Sequence, residues 1–300
     1  MRIIKLNEQS RANILADLLK RDPNNYSAYE DTVQAIVDDV RARGDEALFE
    51  YTEKFDGFCL DQQSVLVKEE EIEEAYTQVD RGLIEIIRKA LKNIETYHEK
   101  QRQYSWFDSK PDGTILGQKV TALDRVGVYV PGGKAAYPSS VLMNIVPAKT
   151  AGVREIIMVT PPGKDGKVTP TTLVAAKEAG ADKIYKVGGA QAIAALAYGT
   201  ESISKVDKIV GPGNIYVALA KKAVYGHVSI DSIAGPSEIL VLADETANPR
   251  YVAADLLSQA EHDEMASAIL VTVSMELAEK VSEQTELFIS QLSRGEIIRK

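Results

Sequence analysis

The stretch from Val126 to His262 repeats one pattern, in which a short apolar segment ends in a glycine turn and an alanine-rich segment follows. The turns are Pro131-Gly132-Gly133, Gly188-Gly189-Ala190-Gln191, Gly211-Pro212-Gly213-Asn214 and Gly235-Pro236-Ser237-Glu238. Strands that alternate with helices in this way predict a parallel sheet joined by right-handed crossovers. Turns that follow parallel strands lie at the carboxyl edge of the sheet, where α/β proteins bind ligands. The pattern therefore predicts an α/β enzyme that acts on small molecules.

The boundaries of the predicted elements follow from the same alternation. Strands are predicted at 126–130, 154–160, 183–187, 207–210, 238–243 and 267–273. Helices are predicted at 138–151, 170–180, 190–198, 213–225, 248–264 and 275–292. Before them, helical spacing of apolar residues predicts amphipathic helices from Asp31 and around Leu83–Ile94, and Asp112-Gly113 predicts a hairpin turn. After Gly295, the run Glu296-Ile297-Ile298 predicts one more strand.

Composition narrows the class of protein. With 45% hydrophobic and 26% charged residues over 300 positions, the chain is typical of a globular protein of about two domains. A net charge of −9 argues against nucleic acid as a partner, because binding to phosphates needs a basic surface. No run approaches the ~20 apolar residues that span a bilayer, and the amino end lacks the apolar core of a secretory signal. The single cysteine, Cys59, excludes an internal disulfide, so a cytoplasmic location is expected.

Polar side chains on the glycine turns are the candidate ligand-binding residues. Tyr129 lies near the end of the first strand of the pattern, while Gln191, Asn214 and Ser237 follow glycine turns. Each of them could instead cap a helix or satisfy a turn, whereas four that converge on one sheet edge would form a site. The chain matches neither the phosphate-loop pattern nor the Gly-x-Gly-x-x-Gly fingerprint. Gly188-Gly189 before an alanine-rich helix would still offer backbone N–H groups to a pyrophosphate.

Gln259 and His262 are candidate metal ligands. Asn248-Pro249 predicts the start of a helix, on which Asp255, Gln259 and His262 share one face. An amide oxygen and an imidazole nitrogen three residues apart could bind one metal ion, although glutamine is a poorer zinc ligand than cysteine or histidine. No Gly-x-Ser-x-Gly motif is present, and Cys59 lies outside the glycine-turn region, so a covalent mechanism is not favoured.

Taken together, these segments resemble histidinol dehydrogenase. The blocks that carry the resemblance are RVGVYVPGG (125–133), YPSSVLMN (137–144), GGAQAIAALA (188–197), GPGN (211–214), AGPSE (234–238) and LSQAEH (257–262). They occur in the order and spacing of the family and extend across essentially the whole chain. The family oxidises L-histidinol to L-histidine through an aldehyde, with two molecules of NAD+ in succession, and its enzymes are zinc-dependent homodimers.

The resemblance implies a domain plan and a role for each candidate residue. It implies two incomplete Rossmann-like domains with parallel sheets: residues 26–125 with 239–300, and residues 126–238. A small N-terminal helical arm at 1–25 is expected beside them. Tyr129, Gln191 and Asn214 match positions that contact NAD, and Ser237 matches a position that contacts the substrate. Gln259 and His262 match two zinc ligands that also face the substrate.

The resemblance also implies parts that residues 1–300 do not contain. Family chains continue further, with a Glu-His pair whose histidine is the general base, two more zinc ligands and a dimerising tail. The expectation is therefore a truncated chain that is inactive alone. Two alternatives stay open: a non-catalytic NAD-binding module, and an enzyme similar to aldehyde dehydrogenase. The absence of cysteine from the glycine-turn half argues against the second alternative.

Overall fold

The computed structural model describes residues 1–19, 27–132, 137–233, 238–261, 266–292 and 295–299. Contacts divide the chain into two compact units, Tyr26–Ala234 and Met1–Asn25 with Gly235–Lys300. This division differs from the expected domain plan, in which residues 26–125 belong with residues 239–300. Among the described residues, no helix has the length and the apolar character needed to cross a membrane.

Helices and one hairpin precede the main sheet. They are α1 (Glu8–Leu19), α2 (Ser27–Arg43), α3 (Asp45–Asp56), α4 (Glu69–Gln78), α5 (Arg81–Glu99), β1 (Trp106–Ser109) and β2 (Ile115–Gln118). The predicted hairpin is confirmed, since β1 and β2 pair antiparallel and Gly113 adopts a φ of 87° in the turn. α3 ends at Gly57, whose φ of 73° lies in the left-handed region and whose N–H donates to the Glu53 carbonyl.

The larger unit contains a five-stranded parallel sheet. Its strands are β3 (Arg125–Tyr129), β4 (Glu155–Val159), β5 (Lys183–Tyr185), β6 (Lys208–Val210) and β7 (Ser229–Ile230), in the order β5-β4-β3-β6-β7. The crossover helices are α6 (Pro138–Thr150), α7 (Pro170–Ala179), α8 (Gly189–Tyr198) and α9 (Ile215–Val224). Numbered within the sheet, this order is 3-2-1-4-5, which is the beginning of the Rossmann order. The predicted parallel α/β fold is confirmed, and β7 is an addition to it.

Two apolar cores, one on each face of this sheet, explain why residues 27–99 belong to the larger unit. The first core joins the sheet to α2, α3, α8 and α9 through residues such as Val33, Leu48 and Ile193. The second joins it to α4, α5, α6 and α7 through residues such as Ile72 and Ile145. Strands of a parallel sheet are apolar on both faces, and the amphipathic helices α2–α5 provide part of the cover that they need.

The smaller unit contains a two-stranded parallel sheet. Its elements are β8 (Glu238–Ala243), α10 (Pro249–Ala260), β9 (Ser267–Thr272), α11 (Met275–Ile289) and α12 (Gly295–Arg299). The predicted strand at residues 296–298 is wrong, because these residues lie within the short helix α12. Glu296 lies in its first turn, and Arg299 in its last turn forms a 2.9 Å ion pair with Glu286 of α11. Charges placed in this way suit the two ends of a helix.

Candidate functional site

The larger sheet has a topological switch point between β3 and β6. From β3 the chain proceeds to β4 on one side, and it later returns to β6 on the other side of β3. Loops that leave the carboxyl ends of β3 and β6 therefore diverge and open a crevice between them. In open α/β sheets, ligands bind in this crevice.

Three predicted glycine turns converge at this edge. A Cβ on Gly132 or on Gly188 would overlap the ring of Pro161, so the turns after β3, β4 and β5 are packed against one another. Gly211, after β6, has a φ of 114°, and a Cβ there would overlap the backbone of Tyr129. These positions need glycine because the loops approach closely and, at Gly211, because of the positive φ. The fourth predicted turn, at residues 235–237, lies outside the described residues.

Tyr129 lies at the carboxyl end of β3 with 3% of its surface exposed. Its hydroxyl oxygen accepts a 3.2 Å hydrogen bond from the N–H of Gly189, in the first turn of α8. Burial raises the pKa of Tyr129 to about 12; the hydrogen bond from Gly189 lowers it slightly, and the negative charge of Asp56 contributes to the rise. The hydroxyl is therefore protonated at neutral pH, and it fixes the Gly188-Gly189 turn to the end of β3.

Gln191 has a buried side-chain amide. It lies in the first turn of α8 with 1% of its surface exposed, and neither Oε1 nor Nε2 has a hydrogen-bond partner among the described residues. The amide lies against Gly189, where a Cβ would come within 2.5 Å of Oε1. A buried polar group without a hydrogen bond costs about 1–3 kcal/mol. Neither capping of a helix nor a turn accounts for this side chain, so a ligand group is the partner that it fits.

Asn214 is the N-cap of α9. Its Oδ1 accepts a 3.2 Å hydrogen bond from the N–H of Val217, and the residue is exposed. The capping role that the sequence left open for Asn214 is therefore confirmed. An exposed N-cap at the switch point can also face a ligand with its amide nitrogen, which is a donor.

Lys221 and Asp231 hold the Gly211-Pro212-Gly213-Asn214 turn in place. The Lys221 side chain, 3% exposed, forms an ion pair with Asp231 and donates a 3.0 Å hydrogen bond to the Gly211 carbonyl. Asp231 in turn accepts a 2.8 Å hydrogen bond from the Gly211 N–H. Sequence reasoning missed this pair, although Lys221 stands out as a charge within the alanine- and valine-rich run of α9.

The candidate metal and substrate residues are described only in part. Gln259 lies in the last turn of α10 and is half-buried, whereas Ser237 and His262 lie outside the described residues. Within the described part of the chain, no three His, Cys, Asp or Glu side chains are placed to hold a metal ion. The described side chains thus supply one of the two predicted zinc ligands and do not form a zinc site.

The sheet order, the packed glycine turns and the buried amide at the switch point define a Rossmann-like α/β protein with a ligand crevice. Residues 19–300 match the sequence model of the histidinol dehydrogenase family. The chain therefore belongs to the histidinol dehydrogenase family, as the resemblance implied.

Individual relatives agree with this assignment. The chain is 63% identical to the histidinol dehydrogenase of Bacillus subtilis over an alignment of 266 residues. This alignment covers 89% of this chain and 62% of the relative. It is 58% identical over 298 residues to the histidinol dehydrogenase of Clostridium acetobutylicum, and this alignment covers 99% of this chain and 69% of the relative. A crystal structure of histidinol dehydrogenase from Elizabethkingia anophelis superposes on this chain with a TM-score of 0.84 at 41% identity. The superposition covers 90% of this chain and 62% of the crystallised chain. The chain spans roughly two thirds of the length of these relatives.

Proposed function

We propose that these residues are the dinucleotide-binding part of an enzyme that oxidises L-histidinol to L-histidine through an aldehyde, with NAD+ as the oxidant. Membership of the histidinol dehydrogenase family supports an oxidoreductase of histidine biosynthesis. The observation that carries the NAD proposal is Gln191, whose buried amide lies in the first turn of α8 and has no hydrogen-bond partner among the described residues.

Three side chains would hold the dinucleotide. Gln191 offers it both a donor and an acceptor, Asn214 offers an amide nitrogen, and Tyr129 positions the N-terminus of α8. N–H groups at a helix N-terminus favour an anion; since that of Gly189 already donates to Tyr129, the other N–H groups of the first turn of α8 would face the pyrophosphate. When bound, NAD+ supplies the acceptor for a hydride.

The substrate and metal assignments are proposals that rest on the family alone. Ser237, Gln259 and His262 would contact L-histidinol, and Gln259 and His262 would bind a zinc ion that orients the substrate. None of residues 1–300 matches the Glu-His pair of the family. We propose that a polypeptide of these residues binds the dinucleotide without turnover, and that the complete enzyme is a homodimer. A cytoplasmic location and the absence of a nucleic-acid partner also stay predictions.

The test is a fluorescence titration of the 300-residue chain with NADH. Gln191→Leu keeps the bulk of the side chain and removes its polar atoms, so NADH affinity should fall at least about tenfold, as expected for two lost hydrogen bonds. Gln103→Leu changes an exposed glutamine outside the sheet and is the matched control. A wild-type chain that does not bind NADH, or a Gln191→Leu variant that binds it as well as the control, would contradict the proposal. NADH production from histidinol by this chain would contradict the absence of turnover.

A further inference from the structure

Besides Gln191, a second side chain has a buried atom without a hydrogen-bond partner among the described residues, and it lies within electrostatic range of Tyr129. Asp56 is the last residue of α3, which packs against α8, and its Oδ2 atom is buried without a hydrogen-bond partner among the described residues. Burial raises the pKa of Asp56 to about 6, and its charge in turn raises the pKa of Tyr129. Asp56 therefore lies within electrostatic range of the Tyr129 hydroxyl.

The end of α3 reaches the carboxyl edge of the sheet. Two residues after Asp56, the ring of Phe58 fills the space in which a Cβ of Gly166 would lie. Gly166 belongs to the loop that follows β4, Tyr129 is the last residue of β3, and Gln191 lies in the first turn of α8, after β5. Asp56 thus joins a crevice that these loops form, although it comes from a helix that precedes the whole sheet.

The unpartnered atoms are concentrated in this crevice. Among the described residues that are not exposed, the buried side-chain atoms without a hydrogen-bond partner are Oδ2 of Asp56 and Oε1 and Nε2 of Gln191. They comprise a carboxylate acceptor, an amide acceptor and an amide donor. This set matches a ligand that carries hydroxyl groups as donors and also an acceptor.

A carboxylate has a known task in Rossmann-like folds. An acidic residue at the end of the second strand accepts a hydrogen bond from the ribose of NAD, and its charge opposes the 2′-phosphate of NADP. Here the second strand of the sheet, β4, is followed by Thr160-Pro161-Pro162-Gly163, which contains no acid. The next carboxylate, Asp165, is exposed and accepts a 3.1 Å hydrogen bond from the Lys167 N–H within its own turn.

We propose that Asp56 supplies this carboxylate from α3: it accepts hydrogen bonds from the ribose hydroxyls of the dinucleotide and so selects NAD over NADP. This inference rests on the proposed function. It adds to that function a specificity-determining residue and a reason for the unpartnered Oδ2 atom.

Titrations of the 300-residue chain with NADH and with NADPH test the inference. Asp56→Asn should weaken NADH about ten- to hundredfold, since it removes charge-assisted hydrogen bonds. It should leave NADPH unchanged or bound more tightly, because the repulsion is gone. Asp165→Asn, which changes an exposed carboxylate of the neighbouring loop, should leave both affinities as in the wild type.

Thermal unfolding without ligand distinguishes a role of Asp56 in ligand recognition from a role in the stability of the fold. Removing a half-buried charge whose Oδ2 has no partner among the described residues should leave the melting temperature unchanged or raise it. A lowered melting temperature together with equal losses for NADH and NADPH would overturn the inference, as would an unchanged NADH affinity. In either case NADH binding by the wild type would leave the proposed function standing. A wild-type chain that binds neither dinucleotide would refute both.

Discussion

Replacing Lys221 by methionine tests how the Gly211-Pro212-Gly213-Asn214 turn is fixed at the switch point. Methionine keeps the unbranched stem of lysine in the buried environment of α9 and removes the ammonium group. Two interactions are lost, the ion pair with Asp231 and the 3.0 Å hydrogen bond to the Gly211 carbonyl. The 2.8 Å hydrogen bond from the Gly211 N–H to Asp231 has no direct part in the change.

The magnitude follows from the burial of the two partners. Breaking a fully buried ion pair costs about 3–5 kcal/mol, because one charge stays buried and unpaired. The Lys221 side chain is 3% exposed, but that of Asp231 is 33% exposed, so water screens the charge that remains after Lys221→Met. We expect this variant to lose about 2–3 kcal/mol of unfolding free energy. Asp231→Asn leaves the buried ammonium group of Lys221 without its counter-charge, so we expect this variant to lose about 3–5 kcal/mol of unfolding free energy.

The assay is a double-mutant cycle with two readouts. Urea unfolding gives the free energy for the wild type, both single variants and the Lys221→Met/Asp231→Asn double variant. The double variant buries neither charge, and its asparagine can still accept from the Gly211 N–H, so the coupling energy should be about 2 kcal/mol. Hydrogen exchange at Gly211 reports the turn itself, and exchange should be faster in both single variants than in the wild type.

The result that refutes this reasoning is additivity. If the losses of the two single variants sum to that of the double variant within about 0.5 kcal/mol, the pair does not act as a unit. Unchanged exchange at Gly211 in Lys221→Met would show that the turn is held by other contacts. Lys222→Met is the matched control, because the neighbouring Lys222 is exposed and pairs with Glu30 on the surface.

Two further predictions concern the same edge of the sheet. Gly211→Ala should destabilise the chain by more than about 2 kcal/mol in urea unfolding and abolish NADH binding, because the added Cβ meets the backbone of Tyr129 at a φ of 114°. Gly226→Ala, at a φ of 95° with open space around it, should cost only the strain of about 1 kcal/mol; equal effects of the two would be a contradiction. The Asp56 pKa lies at about 6, above its usual 3.8, so the folded state binds the proton more tightly and stability should fall as pH rises from about 4 to about 6. NADH affinity should rise over pH 5–7 as Asp56 ionises, and titrations of Asp56→Asn should show neither trend.

Local structure follows from the sequence where the pattern is long and has clear ends. β3 and β4 are five-residue runs buried on both faces, and a glycine or proline turn follows each of them, so their bounds are predictable to within about two residues. β7 has two residues, too few for any periodicity, and it forms because β6 provides a partner. The three-residue run Glu296-Ile297-Ile298 is also too short to show a periodicity, and the Arg299–Glu286 ion pair that supports its helical form is a contact between helices.

Long-range association is what the sequence pattern leaves open. The amphipathic spacing of α2 predicts a buried face, but it does not say which sheet that face covers, and the expected domain plan therefore differs from the observed contacts. The candidate residues Tyr129 and Gln191 follow from the glycine turns that precede or follow them. Neither Asp56 nor Lys221 lies in a glycine turn that follows a strand, and each reaches the edge of the sheet only through the packing of its helix.

Unpaired polarity is the property that distinguishes this crevice from an ordinary set of tight βα turns. Glycine turns alone are explained by close packing, as the contacts of Gly132 and Gly188 with Pro161 show. Close packing does not explain why Gln191 is glutamine, because a leucine of similar size would fill the same space and avoid about 1–3 kcal/mol of unpaired burial. A side chain that lowers the stability of the free protein can be useful if a ligand later provides its partners. NADH should therefore raise the melting temperature of the wild type more than that of Gln191→Leu.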